Sequence, residues 1–184
     1  MGVDDASLFD AAVSVVARYG MKRATMADLA SAVGVSRQTL YDRFGDKDGV
    51  MAAVIDHMTA GLARDLGVAF AERASLGHKL DAYFEIAVWP TFDLVRAMPD
   101  SADFERGMGP VSMAATRRSS DLKRAMLTEM LRAHLGGGGQ PPDRVAAFVE
   151  LGCSRVKLSD ISRDDLASYL AVLREAVVAL ARSS

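Results

Sequence analysis

Apolar residues recur along this chain at spacings of three and four rather than in alternation, the periodicity of helices that bury one face. Leu8, Ala12, Val15, Val16 and Tyr19 form one stripe, opened by Ser7 with Asp10 and stopped by Gly20. Thr25 with Asp28 opens a short second helix that carries Met26, Leu29, Ala30 and Val33 on one side, and Gly34 closes it. Ser36 caps a two-turn helix, Arg37 to Phe44, with Leu40 and Phe44 inward and Gly45 at its end. Asp46 caps a longer helix through Val50, Val54, Met58 and Leu62 toward Ala74, weakened locally by Gly49, Gly61 and Gly67.

A second body starts near Leu76. Leu80, Tyr83, Phe84, Ala87 and Val88 mark a helix that Pro90 kinks and Pro99 ends. A short turn around Asp103 to Met108 leads to a long helix, Met113 to Leu135, with Thr116 to Asp121 polar near its start. Gly136 to Gly139 cannot hold a helix and read, with Gln140, Pro141 and Pro142, as a linker. Asp143 to Lys157 and Arg163 to Ala181 are the last helices, the second opened by Ser162 with Asp165. In it Leu166, Leu170, Leu173, Val177 and Leu180 alternate spacings of four and three, a seam that calls for a facing helix. The fold class is therefore all-α. Residues 1–48 form a three-helix N-terminal domain, a helix over about 46–74 links it onward, and residues 75–184 form a larger helical domain.

Composition narrows the setting. Half of the 184 residues are apolar and a quarter charged, the balance of a globular protein. Asp4, Asp5 and Asp10 break any apolar signal core, and no run approaches the roughly 18 apolar residues of a spanning helix. One cysteine, Cys153, leaves no internal disulfide and reads as core, and the expected compartment is the cytoplasm. A net charge of −2 argues against non-specific coating of nucleic acid, yet leaves room for a few well-placed cations.

The informative stretch is Thr25 to Lys47: cap, short helix, Gly-Val turn, cap, short helix. Two short helices joined by a glycine-containing turn fit the helix-turn-helix plan, whose second helix enters the DNA major groove. Gly34-Val35-Ser36, Thr39-Leu40-Tyr41, Phe44 and Lys47, within TMADLASAVGVSRQTLYDRFGDKDGV, resemble the DNA-binding region of the TetR family of regulators. Ser36 caps the recognition helix and turns its amides toward a phosphate or the groove edge. Arg37 and Gln38 have the donor geometry for base edges, Arg toward guanine and Gln toward adenine. The resemblance implies phosphate contacts for Thr39, Tyr41 and Lys47. Arg43 serves base or backbone, and Thr25 caps its helix near a phosphate. Asp42 would face the phosphate field and is expected to pair locally or meet solvent. Arg37, Arg43 and Lys47 offset Asp28, Asp42 and Asp46, so affinity must come from placement, dimerisation and helix amides.

For the second body the resemblance implies a domain that binds a small effector and pairs with a second copy through about residues 143–181. The dimer would read a pseudo-palindromic operator with recognition helices about 34–36 Å apart. It would act as a repressor released by its effector. Trp89, Phe92, Met113, Met126, Met130 and Phe148 are the candidate pocket residues, with Met98 and Met108 also possible, against ordinary core packing for each. Arg117, Arg118, Lys123 and Arg124 read as a solvated basic face. His57, His78 and His134 lack metal-ligand spacing and a nearby nucleophile elbow, so no catalytic residue, metal or cofactor is expected. The rival reading, a helical ligand-binding or scaffold protein without DNA, leaves the design at Thr25 to Lys47 unexplained.

Overall fold

The computed structural model describes residues 5–99, 105–135 and 139–182, and among these there are helices and turns but no strand. The helices are α1 (Asp5–Tyr19), α2 (Met26–Val33), α3 (Arg37–Phe44), α4 (Lys47–Glu72), α5 (Leu76–Tyr83), α6 (Trp89–Ala97), α7 (Pro110–Arg132), α8 (Pro142–Val156) and α9 (Arg163–Arg182). A π-helical turn, Phe84–Val88, joins α5 to α6, and a 3-10 turn spans Glu105–Gly107. The predicted turn at Asp103 and most of the glycine linker, Gly136 to Gly138, lie outside the described residues. The chain divides into two compact units, one of residues up to 61 with 93–119, the other of 62–92 with 120–184.

In the first unit α1 begins at Asp5, so Ser7 stands inside the helix rather than at its cap. Leu8, Ala12, Val15 and Val16 are buried as predicted, against Leu29 of α2, Leu40 of α3 and Val50 and Val54 of α4. Tyr19 is 39% exposed and leaves the stripe, with the Arg18 guanidinium 5.3 Å over its ring. His57 packs on Phe9, with ring centroids 4.8 Å apart. α4 runs unbroken through all three glycines, since tertiary packing outweighs about 1 kcal/mol of propensity at each.

Pro90 explains the π-helical turn of the second unit. It lacks an N–H and its ring would strike the carbonyl of Ile86, and the helix accommodates both by widening one turn, Trp89 N–H bonding to Phe84 O. α5 and α8 both pack against α9 and receive its seam: Leu166, Leu170, Leu173 and Val177 are buried within this one chain, and only Leu180 is exposed. The free thiol of Cys153 is buried in the same core, where burial and then the Glu150 charge push it up to about 12.

Lys123 is not part of a solvated basic face. It is buried, with its Nζ 2.8 Å from Glu150 Oε1, while Arg117, Arg118 and Arg124 on the same helix are exposed. Glu150, also buried, accepts from Tyr83 OH through Oε2 and from Ser120 (2.8 Å) and Ser154 (2.6 Å) through Oε1. Burial pushes its carboxyl up, but the Lys123 charge and these hydrogen bonds win and hold it below its ordinary value. Lys157, buried at the end of α8, donates to Ala87 O in the π-helical turn at 3.3 Å. Burial, and then the Lys123 charge, push its ammonium down to about 7.

Candidate nucleic-acid interface

Three local devices build the helix-turn-helix. Thr25, in an extended conformation, closes a capping box: its Oγ1 accepts from Asp28 N–H, and its own N–H donates to Asp28 Oδ2 at 2.9 Å. The Thr25 hydroxyl, which donates to Asp28 Oδ2 at 2.6 Å, and second the Thr25 N–H lower the Asp28 carboxyl below its ordinary value. Gly34 adopts φ 74°, a left-handed conformation open to glycine at little cost, and its N–H and that of Val35 both close on Ala30 O. Ser36 then starts α3, its Oγ accepting from Thr39 N–H at 3.0 Å and lying 2.8 Å from Thr39 Oγ1.

α3 is left with one buried residue, Leu40, and a half-buried Phe44. Arg37, Gln38, Thr39, Tyr41, Asp42 and Arg43 are all exposed, Tyr41 by 47%. Asp42 is paired locally as expected, accepting from Gln38 Nε2 at 2.6 Å. One amide proton is thereby engaged, and the second proton and Oε1 remain as the donor and acceptor that adenine requires. Arg43 lies 5.0 Å over the Phe44 ring, which steers it along α3. Lys47 points partly inward: its Nζ donates to Met21 O (3.0 Å) and Lys22 O (3.2 Å), tying the start of α4 to the loop before α2. One of three ammonium protons is left for a phosphate.

Two features escaped the sequence reading. Lys22 and Arg23 are exposed in the loop that Lys47 holds, beside the amide end of α2, and add two cations to the same region. Asp48 accepts from the N–H groups of Gly109 (3.0 Å), Val111 (2.7 Å) and Ser112 (3.1 Å) and from Ser112 Oγ. It thus caps α7 and fastens residues 109–112 to the first turn of α4. Burial raises its carboxyl, but the Ser112 hydroxyl and the three amides outweigh this and lower it. Neighbouring residues carry no signal for a partner sixty positions away.

The candidate pocket residues do not assemble as one set. Trp89, Phe92, Met126 and Met130 share the core of the second unit, with Trp89 edge-on to Phe92 at 5.9 Å and the Arg163 guanidinium 4.5 Å over its ring. Met113 belongs to the first unit and is 47% exposed, and Phe148 is 58% exposed on α8. Met98 is buried in the first unit and Met108 packs partly against that core. Among the described residues no three His, Cys, Asp or Glu side chains stand close enough to hold a metal ion.

A short helix capped at its start, with its apolar residue in a shared three-helix core and its polar face exposed, has the plan of the second helix of a helix-turn-helix. Residues 8–54 match the family model described as bacterial regulatory proteins, tetR family. Over that stretch the chain is similar to the DNA-binding region of TetR-family regulators. An uncharacterised HTH-type transcriptional regulator of Mycobacterium bovis is 36% identical over 66 residues, 36% of this chain and 35% of that protein. The aligned stretch thus spans about a third of the length of that curated relative. A transcriptional regulator from Rhodococcus sp. Rha1 superposes with TM-score 0.72 at 18% identity, covering 96% of this chain and 94% of that one. The regulator FadR from Bacillus subtilis, in complex with stearoyl-CoA, gives TM-score 0.65 at 17% identity, with 97% of each chain covered. At these identities the two structures show a shared fold. No described helix is long and apolar enough to cross a membrane.

Proposed function

We propose that the protein is a sequence-specific DNA-binding transcriptional regulator, a homodimeric repressor released by a small effector, working in the cytoplasm and without enzymatic activity. The observation that carries this reading is the exposed polar face of α3 on a head whose apolar residues are already buried. Arg37 and Gln38 read base edges, Thr25, Ser36, Thr39, Tyr41 and Lys47 hold phosphates, and Arg43 adds a further cation. Lys22 and Arg23 reinforce the phosphate contacts. Dimerisation is supported by a different face of the last helices from the predicted seam: Phe148 and Leu151 on α8 are 58% and 65% exposed, and Val172 on α9 is 67% exposed. Apolar side chains so placed on neighbouring helices suit a two-fold helical interface.

The effector site is proposed within the second unit, around Trp89, Phe92, Met126 and Met130; the Bacillus subtilis neighbour holding stearoyl-CoA supports a ligand-binding role. Met113 and Phe148, also candidates from sequence, are exposed and are not part of this core. An effector releases DNA only by binding the non-reading state more tightly, so operator affinity falls by that difference. Binding of labelled duplex DNA across a salt series tests the reading. Affinity that falls steeply as salt rises supports it, and the absence of salt-sensitive binding favours a helical ligand-binding protein without DNA.

A further inference from the structure

The second unit carries a groove of about 320 Å3 lined by Ser75, Leu76, Gly77, His134, Arg174, Val178, Ala181 and Arg182. A hollow of about 420 Å3 adjoins it, sharing Arg174, Val178 and Arg182 and adding Glu175 on its wall. Arg174 Nε donates to Asp81 Oδ1 at 2.7 Å, and this bond fixes the guanidinium. Its terminal end then rests on the first turn of α5: a Cβ on Gly77 would lie 2.5 Å from Nη2 and 2.9 Å from the guanidinium carbon, so a larger residue there would displace the guanidinium. Among the described residues neither Nη has a protein acceptor. His134 Nε2 in the same wall is buried without a partner. The Ser75 hydroxyl takes the His78 amide, and the amides of Leu76 and Gly77 belong to the helix start that has no acceptor within the helix.

From this geometry we propose that the groove binds the oxyanion of a small amphipathic acid. Arg174 and Arg182 hold its carboxylate or phosphate, and Leu76, Val178 and Ala181 cover its short apolar part. A planar guanidinium fork with free Nη groups suits an oxyanion, and the amides at the head of α5 add donors and partial positive charge on the same side. An apolar floor with few converging polar groups is the composition of small-molecule sites. The site goes beyond the regulator reading and does not rest on it.

The test is titration of the full chain, without DNA, followed by the NMR signals of the Gly77 amide and Arg174 Nε. The probes are hexanoate and hexyl phosphate, with acetate, inorganic phosphate and hexanol for comparison. At least one hexyl anion saturates both signals and binds about tenfold or more tightly than its bare headgroup, while hexanol leaves them in place. Arg174→Gln weakens this binding more than about tenfold. Arg182→Gln, on an exposed residue outside the Asp81 pair, weakens it severalfold and serves if Arg174→Gln disturbs the fold. No saturation by either hexyl anion, affinity no better than that of acetate or phosphate alone, or unchanged binding by the folded variants overturns the proposal. Any of these results leaves DNA binding to be judged separately.

Discussion

α3 and α9 use the same helical geometry for opposite ends. α3 buries Leu40 and turns nearly every other side chain to solvent, whereas α9 lays Leu166, Leu170, Leu173 and Val177 into the core of the second unit. A helix set by Ser36 at its start and Gly45 at its end needs little apolar anchoring, so its surface is left for chemistry. A helix held by a continuous stripe is a structural member, and its chemistry lies on the flanks. Substitutions in α3 should therefore change DNA affinity with little change in stability, and those in and around α9 the reverse.

The largest expected effect is in the ionic cluster beside α9's core. Glu150→Ala leaves Lys123 and Lys157 buried without a counter-ion and should lower stability by about 3–5 kcal/mol, read from urea denaturation. Leu170→Ala should follow with a loss of about 2–5 kcal/mol. In the head, Arg37→Ala should remove about 1–3 kcal/mol of discrimination at particular bases and shift stability by no more than about 0.5 kcal/mol. Lys47→Ala sharpens the contrast, because its ammonium also holds Met21 O and Lys22 O: it should weaken binding to every sequence and lower stability as well.

A pH slope separates the two regions in a different way. Lys157 titrates near 7 when folded, below its ordinary 10.5, so the folded state disfavours its charge. The penalty is present in full below about pH 7 and fades as pH rises toward 10.5, since there the unfolded chain binds the proton that the folded one has lost. The Lys157 contribution thus raises stability between pH 7 and 9, and Lys157→Met should flatten that part of the profile in urea midpoints.

Most of the helical order was legible, because caps are local: Thr25 with Asp28, Ser36, Asp46 and Ser162 with Asp165 all stand where their spacing places them. Ser7 was misleading, since serine is tolerated inside a first turn as well as at a cap. The seam of α9 was legible as a stripe but not in its partner, which proved to be α5 and α8 of the same chain. Pairings over long sequence distance were not legible: Asp48 with residues 109–112, Tyr83 with Glu150, and Lys123 within a run of otherwise exposed arginines. The exposed polar face of α3 follows from its caps and its single buried leucine, whereas a pocket is a matter of shape, and apolar composition alone grouped the exposed Met113 and Phe148 with residues of the second unit's core.

The central claim is that α3 reads DNA sequence. Selection of bound fragments from a random DNA pool at near-physiological salt, with the native protein beside Arg37→Ala, tests it most directly. The account predicts an enriched pseudo-palindromic site that the variant loses or reads with relaxed preference at particular bases; no enrichment by the native protein, or the same site recovered unchanged by the variant, would contradict it.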